Sequence, residues 1–115
     1  DVIYVALSGD GQVLAYDTRA GKELARYPLP DRNASPYAVT WDPRRRVVWV
    51  AASNTDVIYR LNPVDGAVSV LPLPRTRAFL RMIDLDRTNG DLWTTYAHLP
   101  INRGPNYAVR IELAD

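Results

Sequence analysis

Three features of the amino-acid sequence predict an all-β chain assembled from repeated four-stranded antiparallel sheets. Landmarks recur every 44 or 45 residues: Tyr4, Trp49 and Trp93; Gly21 and Gly66; Leu29 and Leu73; Asp42 and Asp86. The tripeptide Pro-Leu-Pro returns intact at Pro28 and Pro72. Each period is filled with short β-branched and aromatic runs separated by turn residues, and no helical period is sustained anywhere. A period in the forties made of short strands is what the blades of a β-propeller show.

The middle period can be read strand by strand. Tyr37–Trp41 (YAVTW) forms the first strand, Val47–Ala51 (VVWVA) the second, Val57–Leu61 (VIYRL) the third and Ala67–Leu71 (AVSVL) the fourth. All are rich in residues that suit a pleated, half-buried surface. The joints between them are Asp42-Pro43, Ser53-Asn54, Asn62-Pro63 and Asp65-Gly66. Glycine supplies the positive φ such turns need, and proline fixes φ while lacking the donor a central strand requires.

With the strands lettered a to d from the hub outward, the chain holds b-c-d of one blade, a complete a-b-c-d, and a-b-c of a third. The boundaries predicted are 1–36, 37–79 and 80–115. Ten strands are too few for a closed ring of four-stranded blades. The expectation is therefore about two and a half blades, a segment of a larger propeller or a chain completed by copies of itself. Bare end blades would present apolar faces that repeat proteins tolerate poorly.

Composition narrows the function only a little. A formal net charge of +1 over 115 residues gives no global attraction to nucleic acid, and no apolar run approaches a membrane span. Thirteen of the fourteen basic residues are Arg, and there is no Cys, which excludes disulfides and thiolate chemistry. A cysteine-free chain opening on Asp1 in front of a strand fits a bacterial periplasmic or secreted protein, with a cytoplasmic location as the alternative.

The complete unit SPYAVTWDPRRRVVWVAASNTDVIYRLNPVDGAVSVLPLP resembles a blade of the streptogramin (virginiamycin B) lyase family. That family's repeats run PYGIAVDPDGNVWFTE and NRIGRIDPATGEITEYPLP. The first blade, IYVALSGDGQVLAYDTRAGKELARYPLP, is similar to the related YVTN propellers. The resemblance implies a propeller, and for the lyases it implies metal-assisted elimination at the ester of a cyclic depsipeptide. The base implied is a His opening an inner strand, backed by a Glu closing the next strand. In this chain the His position falls on Tyr37 and Arg81, and the Glu position on Ala52 and Tyr96. None of the four keeps the catalytic type. The reading is therefore a ligand-binding or scaffolding propeller. The alternative is a lyase or metal-dependent lactonase whose catalytic groups, and divalent metal, belong to other blades.

Candidate binding residues follow from the topology. The b–c and d–a connections share one face of a propeller. Arg32, Arg75, Arg77 and Arg103 belong there, with Arg81 at the start of an inner strand and Tyr37, Tyr96 and His98 beside them. Such a mouth suits a carboxylate or phosphate, which guanidinium groups bind bidentately. Asp10, Asp31 and Asp56 share the face, and Arg44–Arg46 form a run on the opposite one. His98, the single histidine, lacks a neighbouring Glu and makes no metal site alone. The stretch IDLDRTNGD (83–91) has oxygen ligands at alternate places but no acid at Thr95, and reads as a hairpin turn. The ten-residue connection Ala97–Asn106, longer than its counterparts, is expected either to cover the mouth or to serve packing and assembly. Trp41, Trp49 and Trp93 repeat with the strands and are expected in blade-to-blade cores. The partners expected are further blades or copies of the chain, with a small anion or a protein as ligand.

Overall fold

The computed structural model describes residues 1–97 and 106–114. Ten strands run in chain order: β1 (Val2–Leu7), β2 (Gln12–Asp17), β3 (Lys22–Pro28), β4 (Pro36–Asp42), β5 (Val47–Ala52), β6 (Val57–Leu61), β7 (Val68–Pro72), β8 (Ile83–Leu85), β9 (Leu92–Tyr96) and β10 (Tyr107–Ile111). They make three antiparallel sheets, ordered β1-β2-β3, β4-β5-β6-β7 and β8-β9-β10. The only helix among the described residues is a single 3-10 turn, Ser8–Asp10. The four strands predicted for the middle sheet are all present, each within one residue of its expected ends.

The sheets stack face to face, and strand periodicity decides which side chain enters which core. β5 is buried along its whole length. Val48, Val50 and Ala52 pack toward the first sheet with Val13, Leu29, Tyr59 and Leu61. Val47, Trp49 and Ala51 pack toward the third sheet with Leu80, Leu85 and Leu92. Burial on both faces explains why VVWVAA reads as a continuous apolar run and not as an alternation. The outer strands β3 and β7 are largely exposed, and each closes on a proline, which blunts the sheet edge.

The three tryptophans, all expected in blade cores, do not share one environment. Trp49 is 3% exposed, whereas Trp93, its equivalent one period later, is 37% exposed. Among the described residues no fourth sheet covers the outer face of the third. Trp41 is partly buried and stacks on Tyr4 of the first sheet, with ring centroids 5.7 Å apart.

One glycine is required for both conformation and space. Gly11 has φ +63°, and a Cβ there would lie 2.4 Å from the Arg32 carbonyl oxygen. Gly21 has nearly the same φ, +67°, yet its Cβ would meet only the Tyr16 hydroxyl, at 4.0 Å. Gly21→Ala should therefore cost about 1–2 kcal/mol, the left-handed penalty alone. Gly11→Ala should cost about 1–3 kcal/mol more for the forced backbone shift. Urea unfolding of the two variants checks this, and equal losses would show that the Arg32 backbone yields freely.

Candidate functional site at the loop face

The b–c and d–a connections lie together as the topology requires, and main-chain hydrogen bonds knit them. Ser53 N donates to Ser35 O at 2.9 Å, and Ala97 N to Ala78 O at 2.9 Å one period later. Between sheets, Ser53 Oγ donates to Leu80 O at 3.1 Å. Ser8 Oγ donates to Pro36 O in the same manner one period earlier. In the first two blades a serine just after the second strand thus ties the blade to the start of the next, at Pro36 in β4 or at Leu80 just before β8. In the third blade the place is taken by Ala97, which carries no hydroxyl.

On this frame Tyr37 and Arg81 come together. Pro36 pairs with Ala52 and Ala38 with Ala51, so Tyr37 is the extra residue of a β-bulge. A bulge re-aims the side chain it carries. Arg81 stands at the equivalent place of the next blade, 44 residues on, and its Nη2 donates to the Tyr37 hydroxyl at 2.8 Å. The guanidinium carbon also lies 4.8 Å from the Tyr37 ring centroid and 5.4 Å from that of Phe79. Each such contact is worth about 0.5–1 kcal/mol at an exposed site. The rings orient the cation without neutralising it. Among the described residues Arg81 has no carboxylate partner.

A second cation sits on a second pair of rings. The Arg75 guanidinium lies 4.8 Å from the Tyr107 centroid and 5.8 Å from that of Tyr96. Tyr107 and Tyr96 face each other across β10 and β9. Tyr96 is buried, and burial pushes its hydroxyl above the ordinary phenol value, with Arg75 pulling it down and Asp56 pushing it up. Asp56 sets the connection that carries these arginines. Its carboxylate accepts from Arg77 N at 3.0 Å and Ala78 N at 2.9 Å, and its main-chain oxygen accepts from Leu73 N at 3.0 Å. Arg77 is thus held by its backbone, in the left-handed region at φ 56°. Arg32 lies on the same side, lining a polar cleft with Asp10, Arg26 and Asn33. His98 and Arg103, with most of the Ala97–Asn106 connection, lie outside the described residues.

Of the binding residues expected, the structure joins Tyr37 with Arg81 and Arg75 with Tyr96, and anchors Arg77 through Asp56. Phe79 and Tyr107 were missed. The signal for Tyr107 was its place opposite Tyr96 at the mouth end of an outward strand. Among the described residues no group of three His, Cys, Asp or Glu side chains is placed to hold a metal ion. The stretch 83–91 is strand β8 followed by the turn into β9, with Asp86 Oδ1 accepting from Thr88 N at 2.9 Å and Thr88 Oγ1 at 2.6 Å.

The opposite face corrects one expectation. Arg44–Arg46 was read as one surface run, but the Arg45 side chain is 8% exposed and inserts between two blades. Its Nη1 donates to Asp42 Oδ2 at 2.8 Å and to Gly90 O of the third blade at 3.0 Å. Trp49 Nε1 donates to the same carboxylate oxygen at 2.9 Å. Asp42 Oδ1 accepts from the main-chain nitrogens of Arg44 and Arg45, both at 3.1 Å. Arg45 is a strut, because a buried carboxylate needs a cation and every lone pair occupied.

Solved structures with this arrangement exist. A streptogramin B lyase structure superposes with a TM-score of 0.73 at 23% identity, over 93% of this chain and 36% of that one. Virginiamycin B lyase from Staphylococcus aureus gives 0.74 at 20% identity, with the same coverages. The fold is that of a streptogramin lyase-like propeller. At this identity the likeness carries the architecture alone, and the chain spans about a third of the length of those lyases. No protein-family model and no curated protein matches the chain. Among the described residues no helix is long and apolar enough to cross a membrane.

Proposed function

We propose that these blades contribute to a ligand-binding propeller whose loop face takes a small carboxylate- or phosphate-bearing molecule. One observation carries the reading. Arg81, two residues before β8 and not inside the inner strand as expected, is oriented by a phenol hydroxyl and two aromatic rings, and among the described residues no carboxylate neutralises it. The buried Arg45, by contrast, is paired with a carboxylate. Desolvated guanidinium–anion hydrogen bonds are worth roughly 1.5–3 kcal/mol each, and fully exposed pairs about 0–1. Binding therefore requires a ligand large enough to cover the Tyr37–Arg81 edge.

The test is calorimetric titration of the full chain with citrate and with inorganic phosphate. Arg81→Ala should weaken the anion that binds by about tenfold or more, and Tyr37→Phe by about threefold through loss of orientation. Arg87→Ala, an exposed arginine on the opposite face, should change nothing. Equal effects of Arg81→Ala and Arg87→Ala would reduce the face to a solvated basic rim. The second reading, a lyase, is favoured by the fold likeness. It needs a His and Glu pair from blades other than these, because Tyr37, Arg81, Ala52 and Tyr96 hold the corresponding positions. Streptogramin opening by residues 1–115 alone, abolished by His98→Ala, would overturn the assignment.

A further inference from the structure

A second site lies on the other face of the chain, in the seam between the first two blades. There a cleft of about 290 Å³ is lined by Tyr4, Leu24, Tyr27, Trp41, Arg46 and Val64, among others. That is the size of a single-ring ligand, at the small end of the range for binding pockets. Tyr4 and Trp41 stack across the seam at 5.7 Å, with 18° between their planes, and form an aromatic wall. Tyr27 is fixed beside them, its hydroxyl donating to Pro63 O at 2.9 Å.

Two local departures from regular structure build this lining. Ala15 pairs with Ala25 and Tyr16 with Glu23, so Leu24 is the extra residue of a β-bulge. The bulge leaves Leu24 at the cleft and 48% exposed. Arg46 stands in the left-handed region at φ 59°, where the equivalent residue of the next blade is Gly90, at φ +81°. Glycine adopts that conformation freely and arginine does not. Arg46 is the one charged residue lining the cleft, and among the described residues its guanidinium has no carboxylate partner. Strain at a position where the repeat elsewhere uses glycine calls for a reason in the side chain.

We propose that this seam binds a small aromatic carboxylate, its ring against Tyr4 and Trp41 and its carboxylate on Arg46. An apolar wall beside one unneutralised guanidinium complements an apolar body carrying one negative end. The site is separate from the loop face and does not depend on the reading given for it.

The probe is 3-phenylpropanoate, with 3-phenylpropanamide as its uncharged counterpart, titrated into the full chain by calorimetry. The carboxylate should bind saturably with Kd below about 1 mM. Arg46→Gly should weaken it about tenfold while leaving the amide within about twofold. The glycine is the residue the next blade carries at this place, so the turn keeps its conformation. Val64→Glu, on a residue 87% exposed at the cleft, should weaken the carboxylate by like-charge repulsion and serves as the second variant if Arg46→Gly unfolds. Arg81→Ala should leave this binding unchanged, which separates the failure of this site from failure of the loop face. No saturable binding, amide binding as tight as the carboxylate, or insensitivity to Arg46→Gly would each overturn the proposal.

Discussion

Asp42→Ala should destabilise the chain by about 3–5 kcal/mol, the usual cost of removing one partner from a buried ion pair. The residue is fully buried, and its carboxylate serves Arg45, Trp49 and two main-chain donors at once. The substitution strands the Arg45 guanidinium between two blades and leaves the indole N–H of Trp49 without its acceptor. Because the groups act as one network, Asp42→Ala combined with Arg45→Ala should cost clearly less than the sum of the two single losses. Urea denaturation of the four proteins measures both quantities. A loss below about 1 kcal/mol for Asp42→Ala would mean that water enters the seam and replaces the carboxylate.

The same group sets an acid limit. Burial alone pushes the Asp42 carboxyl upward, but the hydrogen bonds from Trp49 and Arg45 outweigh it and hold the carboxyl below the ordinary value. A carboxyl lowered in the folded state stabilises fully above its unfolded value, about 3.9, and loses that contribution as pH falls through the folded value. The stability gap between the wild-type chain and Asp42→Asn should therefore hold from pH 7 down to about 4 and shrink below it. A gap that stayed constant to pH 2 would place the contribution in packing and not in charge.

Trp49→Ala is the second large effect, about 3–5 kcal/mol. The indole fills the seam between the second and third sheets and donates to Asp42, so its removal opens a cavity and takes one donor from the buried carboxylate together. Trp93→Ala, at the equivalent position, should cost less than about 1.5 kcal/mol, because that ring is more than a third exposed and has less burial to lose. Thermal or urea unfolding of the pair gives the comparison directly. Similar losses would show that something covers the outer face of the third sheet, such as a second copy of the chain. A concentration-dependent melting temperature would then accompany them.

The candidate site was partly visible before folding. Tyr37 and Arg81 stand 44 residues apart at the same place in the repeat, and a propeller brings equal places of adjacent blades together. Nothing local indicated that Tyr37 sits in a bulge, because a bulge is set by the register of β4 against β5. Phe79 carries no signal of its own in the sequence. It reaches Arg81 from just before the inner strand, with φ at 53°, as Ser35 does one blade earlier at 57°.

The sequence by itself determined the strands, their number and their grouping into blades. A 44-to-45-residue period and an apolar alternation are properties of consecutive residues, and backbone pairing follows them. Only the tertiary structure decided which charges are buried and which are free. Arg45 and Arg46 are neighbours in one polar stretch, yet Arg45 is a strut on Asp42 and Gly90 while Arg46 lines an open cleft. Burial of a side chain depends on what the next blade places against it, tens of residues away. The local run Asp-Pro-Arg-Arg-Arg carries no record of that surface, so packing between blades alone could separate the two arginines.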